Sequence, residues 1–449
     1  MQSRSRPTLL FCSLLLLIAA GGAVLLAQPN CTTRDPRDLQ YFNTRHYWQC
    51  AFDALSAATG CGLLTYRLDQ DYTPQGRWTL LAIGLAGFAL YIATAAAAAH
   101  RAALFPANLR PPRPLTVLSY FLCLAVVVLI PSAWPIEQSA HSDANLADAT
   151  WRTLSFLCGL GWVGELPGRS VAFFAAGIGG LSLLGWWPLL IVPRMRDRSV
   201  RFFNLLRPFA GMIVVLAVWM GLLFVFDLPR GQKGGGDAEA EWKRTQERSA
   251  VIATESASEI GVGLPGESPK PAQLPDGAKL TLALATLIGG LGIGGAGGIG
   301  LLFTYWAIGG AIRSLYRRTT SDPPGRTHRT RVALAAVVGF FSLSVVFALG
   351  LLLIEWTTAA RFQEQPSFAD ALLESASALG GSAVTSGLTA TVTSRNLTSG
   401  IQLPINMYQV GMVWLMLAMF LGRIIPIAAL HRLGDPLPVA APQQAPPQI

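Results

Sequence analysis

The sequence predicts an all-α integral membrane protein of four helix–pore-loop–helix repeats, with eight transmembrane helices and four re-entrant half-helices around a central pore. Three observations predict it. First, the 449 residues are 52% hydrophobic and only 13% charged, against about 25% charged in ordinary soluble domains. Second, apolar runs long enough to cross a hydrocarbon layer of ~30 Å recur along the chain. Third, four short Ser/Ala-rich segments each run into a tight loop of small residues, at Thr59–Leu63, Gly159–Trp162, Gly261–Leu264 and Gly381–Val384. Equivalent loop positions, Gly62, Gly161, Gly263 and Ala383, stand about 100, 100 and 120 residues apart. A period of that size marks repeats of one membrane unit.

The eight candidate spans are 8–27, 78–99, 115–134, 171–193, 204–226, 279–308, 331–354 and 407–430. Arg4 and Arg6 before an apolar core would also suit a secretory signal. A retained helix is favoured, because the first repeat otherwise lacks its leading span. The repeats then occupy 1–100, 101–198, 199–320 and 321–434, and the Pro-, Gln- and Ala-rich tail 435–449 is expected to be disordered.

Within the repeats, segments near 47–58, 147–158 and 367–379 are too short to cross a bilayer and suited to dip in and return. Irregular backbone at membrane depth is tolerated only where it is buried in protein or lines a watery cavity, so four such loops imply one shared cavity. The third repeat is the most polar. It carries a hydrophilic insertion at 228–278, and its half-helix near 244–259 holds Glu247, Glu255 and Glu259. All four lysines (Lys233, Lys243, Lys270 and Lys279) lie in or beside that insertion.

Net charge is +9, and its placement is informative. The connections 100–114, 194–203 and 309–331 hold Arg101, Arg110, Arg113, Arg194, Arg196, Arg198, Arg201, Arg313, Arg317, Arg318, Arg326, Arg329 and Arg331, against only Asp197 and Asp322. By the positive-inside rule these connections and both termini face the cytoplasm, and the four small-residue loops face outward. Arginines scattered over membrane-flanking turns do not make a nucleic-acid surface. The six cysteines form no CxxC pair and the five histidines no HExxH spacing, so no zinc site is expected. Cys31 and Cys50 share an outward connection, where a disulfide is an open alternative.

Three features carry chemistry. Small residues at Thr59, Gly60, Cys61, Gly62, Gly159, Leu160, Gly161, Gly261, Val262, Gly263, Gly381, Ser382 and Ala383 let backbone carbonyls approach an ion. Any one such loop is equally a helix-terminating glycine of a packed hairpin; recurrence at one place in four repeats favours the pore. The second feature is the run Gly289, Gly290, Gly292, Gly294, Gly295, Gly297, Gly298 and Gly300. Its formal GxGxxG lies inside an apolar span without a preceding strand, so a dinucleotide site is disfavoured. Eight glycines in thirteen positions, at roughly 1 kcal/mol each, read as a broken helix rather than a close-packed one. The third is Arg423, followed by Pro426, inside the last span. It either faces a cavity or snorkels to the interface, and the cavity is favoured.

These segments also match a known family. Ala51–Leu63 with Tyr72–Gly76 resembles the first filter region of the Trk/Ktr/HKT-type potassium transporters. Ile288–Gly300 resembles that family's glycine-rich gating loop, and Leu373–Gly380 and Met419–Pro426 resemble its fourth repeat. The resemblance implies monovalent cation transport, most of all of potassium, across the cytoplasmic membrane. It implies that Gly62, Gly161 and Gly263 stand for filter glycines and Arg423 for a cavity arginine that acts with the gating loop. It further implies a homodimer in membrane lipid and a cytoplasmic nucleotide-binding regulatory subunit, with K+ as transported ion and no bound cofactor. Ala383 departs from the filter glycine, Gly300 from a basic residue at the gating loop's end, and Glu259 from the usual third repeat. Ala383 leaves a sodium-permeable relative open, and a non-conducting membrane scaffold is the alternative of another class. No nucleophile–base arrangement suggests an enzyme.

Overall fold

A computed structural model describes residues 6–33, 42–66, 68, 71–101, 275–289, 299, 301–316, 324–359, 366–382, 385–386, 388 and 405–434, with isolated positions at 151, 154–155, 217–218, 221–222 and 225. The main elements among them are helices α1 (Arg6–Leu26), α2 (Phe42–Thr59), α3 (Pro74–Arg101), α4 (Asp276–Ile288), α5 (Leu301–Tyr316), α6 (Pro324–Ala359), α7 (Phe368–Gly380) and α8 (Ile405–Leu433). Among the described residues, four segments are long and apolar enough to cross a membrane: Pro7–Leu26, Pro74–Ala98, His328–Ile354 and Val410–Leu433. They coincide with expected spans near 8–27, 78–99, 331–354 and 407–430. The expected spans 115–134 and 171–193 lie outside the described residues, as does 204–226 apart from isolated helical positions.

These helices are apolar on the outside as well as within. Leu9, Leu10, Leu17 and Val24 of α1 and Val338, Val346, Leu349 and Leu353 of α6 are exposed. A soluble protein rarely leaves such rows open to water, and lipid is the solvent they suit. The inner stripes pack into one core, with Phe11 and Leu15 of α1, Leu80 and Leu81 of α3 and Phe340 of α6 buried. The chain is a multi-pass membrane protein.

Two short helices stand apart from the spans. α2 packs between α1 and α3, and α7 packs against α4, α6 and α8. The start of α7 is set locally: Ser367 Oγ accepts the Asp370 amide (3.2 Å) and Asp370 Oδ2 accepts the Ser367 amide (3.1 Å), a reciprocal cap. Lys279 Nζ, largely buried on α4, lies 2.7 Å from Asp370 Oδ1 and pins the first turns of α4 and α7 to each other.

Each short helix ends against a glycine of the following long helix. A Cβ on Gly87 of α3 would collide with the carbonyl oxygen of Ala58, and one on Gly422 of α8 with that of Leu379. Ala58 and Leu379 are equivalent positions, 321 residues apart. The two glycines therefore fix how deeply α2 and α7 seat.

The apolar stretch 279–308 is not one helix. α4 stops at Ile288, where Gly289 takes φ 68° and ψ −155°, and the next described helix, α5, begins at Leu301. Ile299 N donates to Leu287 O (2.9 Å), so the chain is back beside α4 at Ile299. Cys31 and Cys50 hold free thiols. Cys31 Sγ donates to Leu25 O (3.3 Å) and Cys50 Sγ lies 3.6 Å from His46 Nε2, so the disulfide left open above is not formed.

Gly422→Ala, and separately Gly87→Ala, should each lower stability by about 1–3 kcal/mol through overpacking against a backbone carbonyl that cannot yield. Thermal unfolding in detergent checks this. Gly339→Ala, inside α6 where an added Cβ meets nothing within 4 Å, is the control and should not lower the midpoint, since alanine favours a helix over glycine.

Candidate functional site

Both short helices terminate in the same way. After α2, Gly60 N donates to Ala57 O (2.9 Å) and Cys61 N to Ser56 O (2.8 Å). After α7, Gly381 N donates to Ser377 O (2.7 Å). Gly60 has φ 62° and Gly381 φ 67°, left-handed backbone that residues other than glycine adopt only with strain. The chain therefore leaves each helix abruptly, with its last carbonyls freed from helical pairing.

The two ends meet. Cys61 Sγ donates to Ser377 O at 3.6 Å. A Cβ built on Gly381 would lie 3.3 Å from the Gly60 carbonyl oxygen and 2.8 Å from Arg423 Nη2. Helix C-termini carry partial negative charge, and bringing two together creates a place that attracts cations.

Arg423 of α8 occupies that place. Its Nε donates to Thr59 O and its Nη2 to Gly60 O (3.2 Å), while its guanidinium carbon stands 4.9 Å from the centre of the Tyr91 ring. It is only 8% exposed. A planar fork of donors suits two adjacent carbonyls, and the ring face adds a cation–π contact. A crevice beside it is lined by Phe11, Leu15, Ala58, Thr59, Gly60, Gly87, Phe88, Tyr91 and Arg423. Among the described residues no group of three or more His, Cys, Asp or Glu could hold a metal ion; the groups that meet Arg423 are backbone carbonyl oxygens.

Of the residues singled out in the sequence, Thr59, Gly60, Cys61, Gly381, Ser382 and Arg423 are brought together. Gly62 follows with φ 75°. Ser382 Oγ donates to Thr286 Oγ1 (3.4 Å) and so touches α4, whose last residue precedes Gly289. Gly159, Leu160, Gly161, Gly261, Val262, Gly263 and Ala383 lie outside the described residues, as do Gly290, Gly292, Gly294, Gly295, Gly297 and Gly298.

Sequence reasoning overlooked two buried carboxylates. Asp53 Oδ1 accepts Thr65 N (2.7 Å) and Thr65 Oγ1 (2.9 Å), and Asp53 Oδ2 accepts the Tyr72 hydroxyl (2.6 Å). Glu374 Oε2 accepts Ser386 N (2.7 Å) and Ser386 Oγ (2.9 Å), and Thr385 Oγ1 donates to Glu374 Oε1 (2.9 Å). Both acids are wholly buried. A signal for them existed: each stands seven residues before the positive-φ glycine of its loop.

The fold has a counterpart among solved structures. The chain superposes on the crystal structure of the potassium transporter TrkH from Vibrio parahaemolyticus with a TM-score of 0.54, covering 95% of this chain and 98% of that one at 16% sequence identity. At that identity the likeness is one of fold. No protein-family model matches the sequence, and no curated protein sequence does either.

Removing the guanidinium strips two buried carbonyls of their donors. Arg423→Ala should destabilise by on the order of 2–3 kcal/mol, the range for hydrogen bonds to a charged group. Arg423→Lys, a point charge without the fork, should recover less than half of it. Chemical unfolding in detergent measures both.

Proposed function

We propose that the chain conducts monovalent cations, chiefly potassium, across the cytoplasmic membrane. The observation that carries this reading is the convergence of the Thr59–Cys61 and Gly381–Ser382 backbones on one buried cation, the Arg423 guanidinium. Carbonyl oxygens that accept from a guanidinium can equally replace the hydration shell of a bare cation. The fold shared with the potassium transporter TrkH supports the same reading. So do the loops at Gly159–Gly161 and Gly261–Gly263, which recur at the repeat period and would complete the ring.

In this reading each repeat supplies one loop and four loops surround the ion. Thr59, Gly60, Cys61, Gly62, Gly159, Leu160, Gly161, Gly261, Val262, Gly263, Gly381, Ser382 and Ala383 form the filter. Arg423 competes with the permeating ion for the Thr59 and Gly60 carbonyls, so flux requires the guanidinium to withdraw. The glycine-rich stretch from Gly289 to Gly300 is the gating segment whose movement permits that. Both termini lie in the cytoplasm, two copies associate in the membrane, and a nucleotide-binding regulatory subunit docks on the inner face. The protein is a transporter and catalyses no covalent step.

Ala383 favours a second reading of selectivity. A methyl group in the fourth loop, where the other three carry glycine, would shift one carbonyl and admit sodium.

Expression in a host lacking its own potassium uptake tests the proposal. The chain should restore growth at low potassium, and Gly62→Asp, which puts a carboxylate side chain where backbone must approach the ion, should abolish the rescue while the protein still reaches the membrane. Rescue undiminished by Gly62→Asp would rule out the filter. Restored sodium uptake without potassium uptake would favour the sodium reading.

A further inference from the structure

Asp53 and Glu374 occupy one position in two repeats. Moving 321 residues along the chain carries Asp53 to Glu374, Ser56 to Ser377, Gly60 to Gly381 and Thr65 to Ser386. The hydrogen bonds follow the same register. In each copy a carboxylate inside the short helix accepts both the amide and the hydroxyl of the residue twelve positions later, beyond the loop. Amide distances are 2.7 Å in both. Each acid is fully buried, and burying a carboxylate is costly unless such donors surround it.

The helix end and the returning chain are thereby tied across the loop, which spans Gly60–Leu64 in one copy. Its carbonyls stand between two fixed points: the left-handed glycine on one side and the strapped amide on the other. The two straps differ in their third donor. Asp53 takes the Tyr72 hydroxyl, from the residues leading into α3, whereas Glu374 takes the neighbouring Thr385 hydroxyl. Arg423 works at the opposite end of the first loop, on the Thr59 and Gly60 carbonyls.

We propose that Asp53 and Glu374 are paired positioning residues, each strapping one loop to its own short helix so that carbonyl spacing, and with it the choice between potassium and sodium, is fixed. The proposal rests on the transport reading above. The carboxylates act through hydrogen bonds accepted and not as charges offered to the ion. An amide of the same length retains that function. In Asp53→Asn the side-chain carbonyl stays on Thr65 and the NH2 group turns to the Tyr72 oxygen. In Glu374→Gln the carbonyl stays on Ser386 and the NH2 group donates to Thr385.

The test is tracer competition in proteoliposomes of the full chain, comparing Asp53→Ala, Asp53→Asn, Glu374→Ala and Glu374→Gln, with amide hydrogen exchange on the same samples. The alanine variants should lose at least about tenfold in potassium-over-sodium preference, with faster exchange at Thr65 only in the first and at Ser386 only in the second. The Asn and Gln variants should stay within about threefold of the parent. Unchanged preference in both alanine variants would overturn the proposal, and so would amide variants as impaired as alanine, which would point to charge. Should an alanine variant fail to fold, Thr65→Val and Ser386→Ala, each removing one hydroxyl donor, decide in its place: preference unchanged in both overturns the strap. A parent chain that carries neither ion would overturn the transport reading itself, a result separate from unaltered selectivity in a conducting protein.

Discussion

A guanidinium held inside the protein by backbone carbonyls is the contact on which the rest of the structure depends. Charge at membrane depth is tolerated only where the protein supplies partners. Arg423 finds them in Thr59 and Gly60, and in the face of Tyr91. Those carbonyls exist as acceptors only because α2 stops where it does. An uninterrupted helix would have consumed them in its own ladder, so the left-handed glycine, the short helix and the buried arginine are consequences of one another. The same reasoning extends to α7. Its end comes close enough for Cys61 to reach Ser377, which demands backbone-to-backbone packing, and Gly87 and Gly422 are small because each lies against a carbonyl of the helix end it supports.

A constellation of this kind is suited to a permeating ion for the same reason that it suits arginine. Carbonyl oxygens at a junction of helix C-termini form a shallow electrostatic well with no covalent demands. A tethered cation can fill the well and leave it, whereas a carboxylate cage would bind too firmly to release. Both acids near the loops, Asp53 and Glu374, accordingly commit their oxygens to amides and hydroxyls at the far ends of the loops.

Much of the fold was legible in the sequence. The spans at 8–27, 78–99, 331–354 and 407–430 announced themselves by length and hydropathy alone, because a bilayer imposes both. The stop at Gly289 was legible too, since it opens a run of eight glycines in thirteen positions, each costing a helix roughly 1 kcal/mol. A cavity-facing Arg423 was legible from its depth in an apolar span, but its pairing with the Thr59 and Gly60 carbonyls was not: Arg423 and Gly60 are 363 positions apart, and nothing local to either encodes the partner. The straps were missed for a different reason. A lone Asp or Glu in an apolar segment looks like an isolated anomaly until it is seen that Asp53 and Glu374 share a register and that their donors stand twelve residues on. Sequence also left the Cys31–Cys50 pairing open; in the fold both thiols are free, Cys31 donating to Leu25 O and Cys50 lying beside His46.

Passage of a monovalent cation through these loops is tested most directly by rubidium tracer uptake into liposomes containing the purified chain. Uptake should be saturable, run down the gradient and be suppressed by external potassium. It should rise when Arg423 is replaced by glutamine, since the competitor for the carbonyls is then gone. Uptake no greater than in protein-free liposomes, for the parent and the Arg423→Gln variant alike, would contradict conduction by this chain.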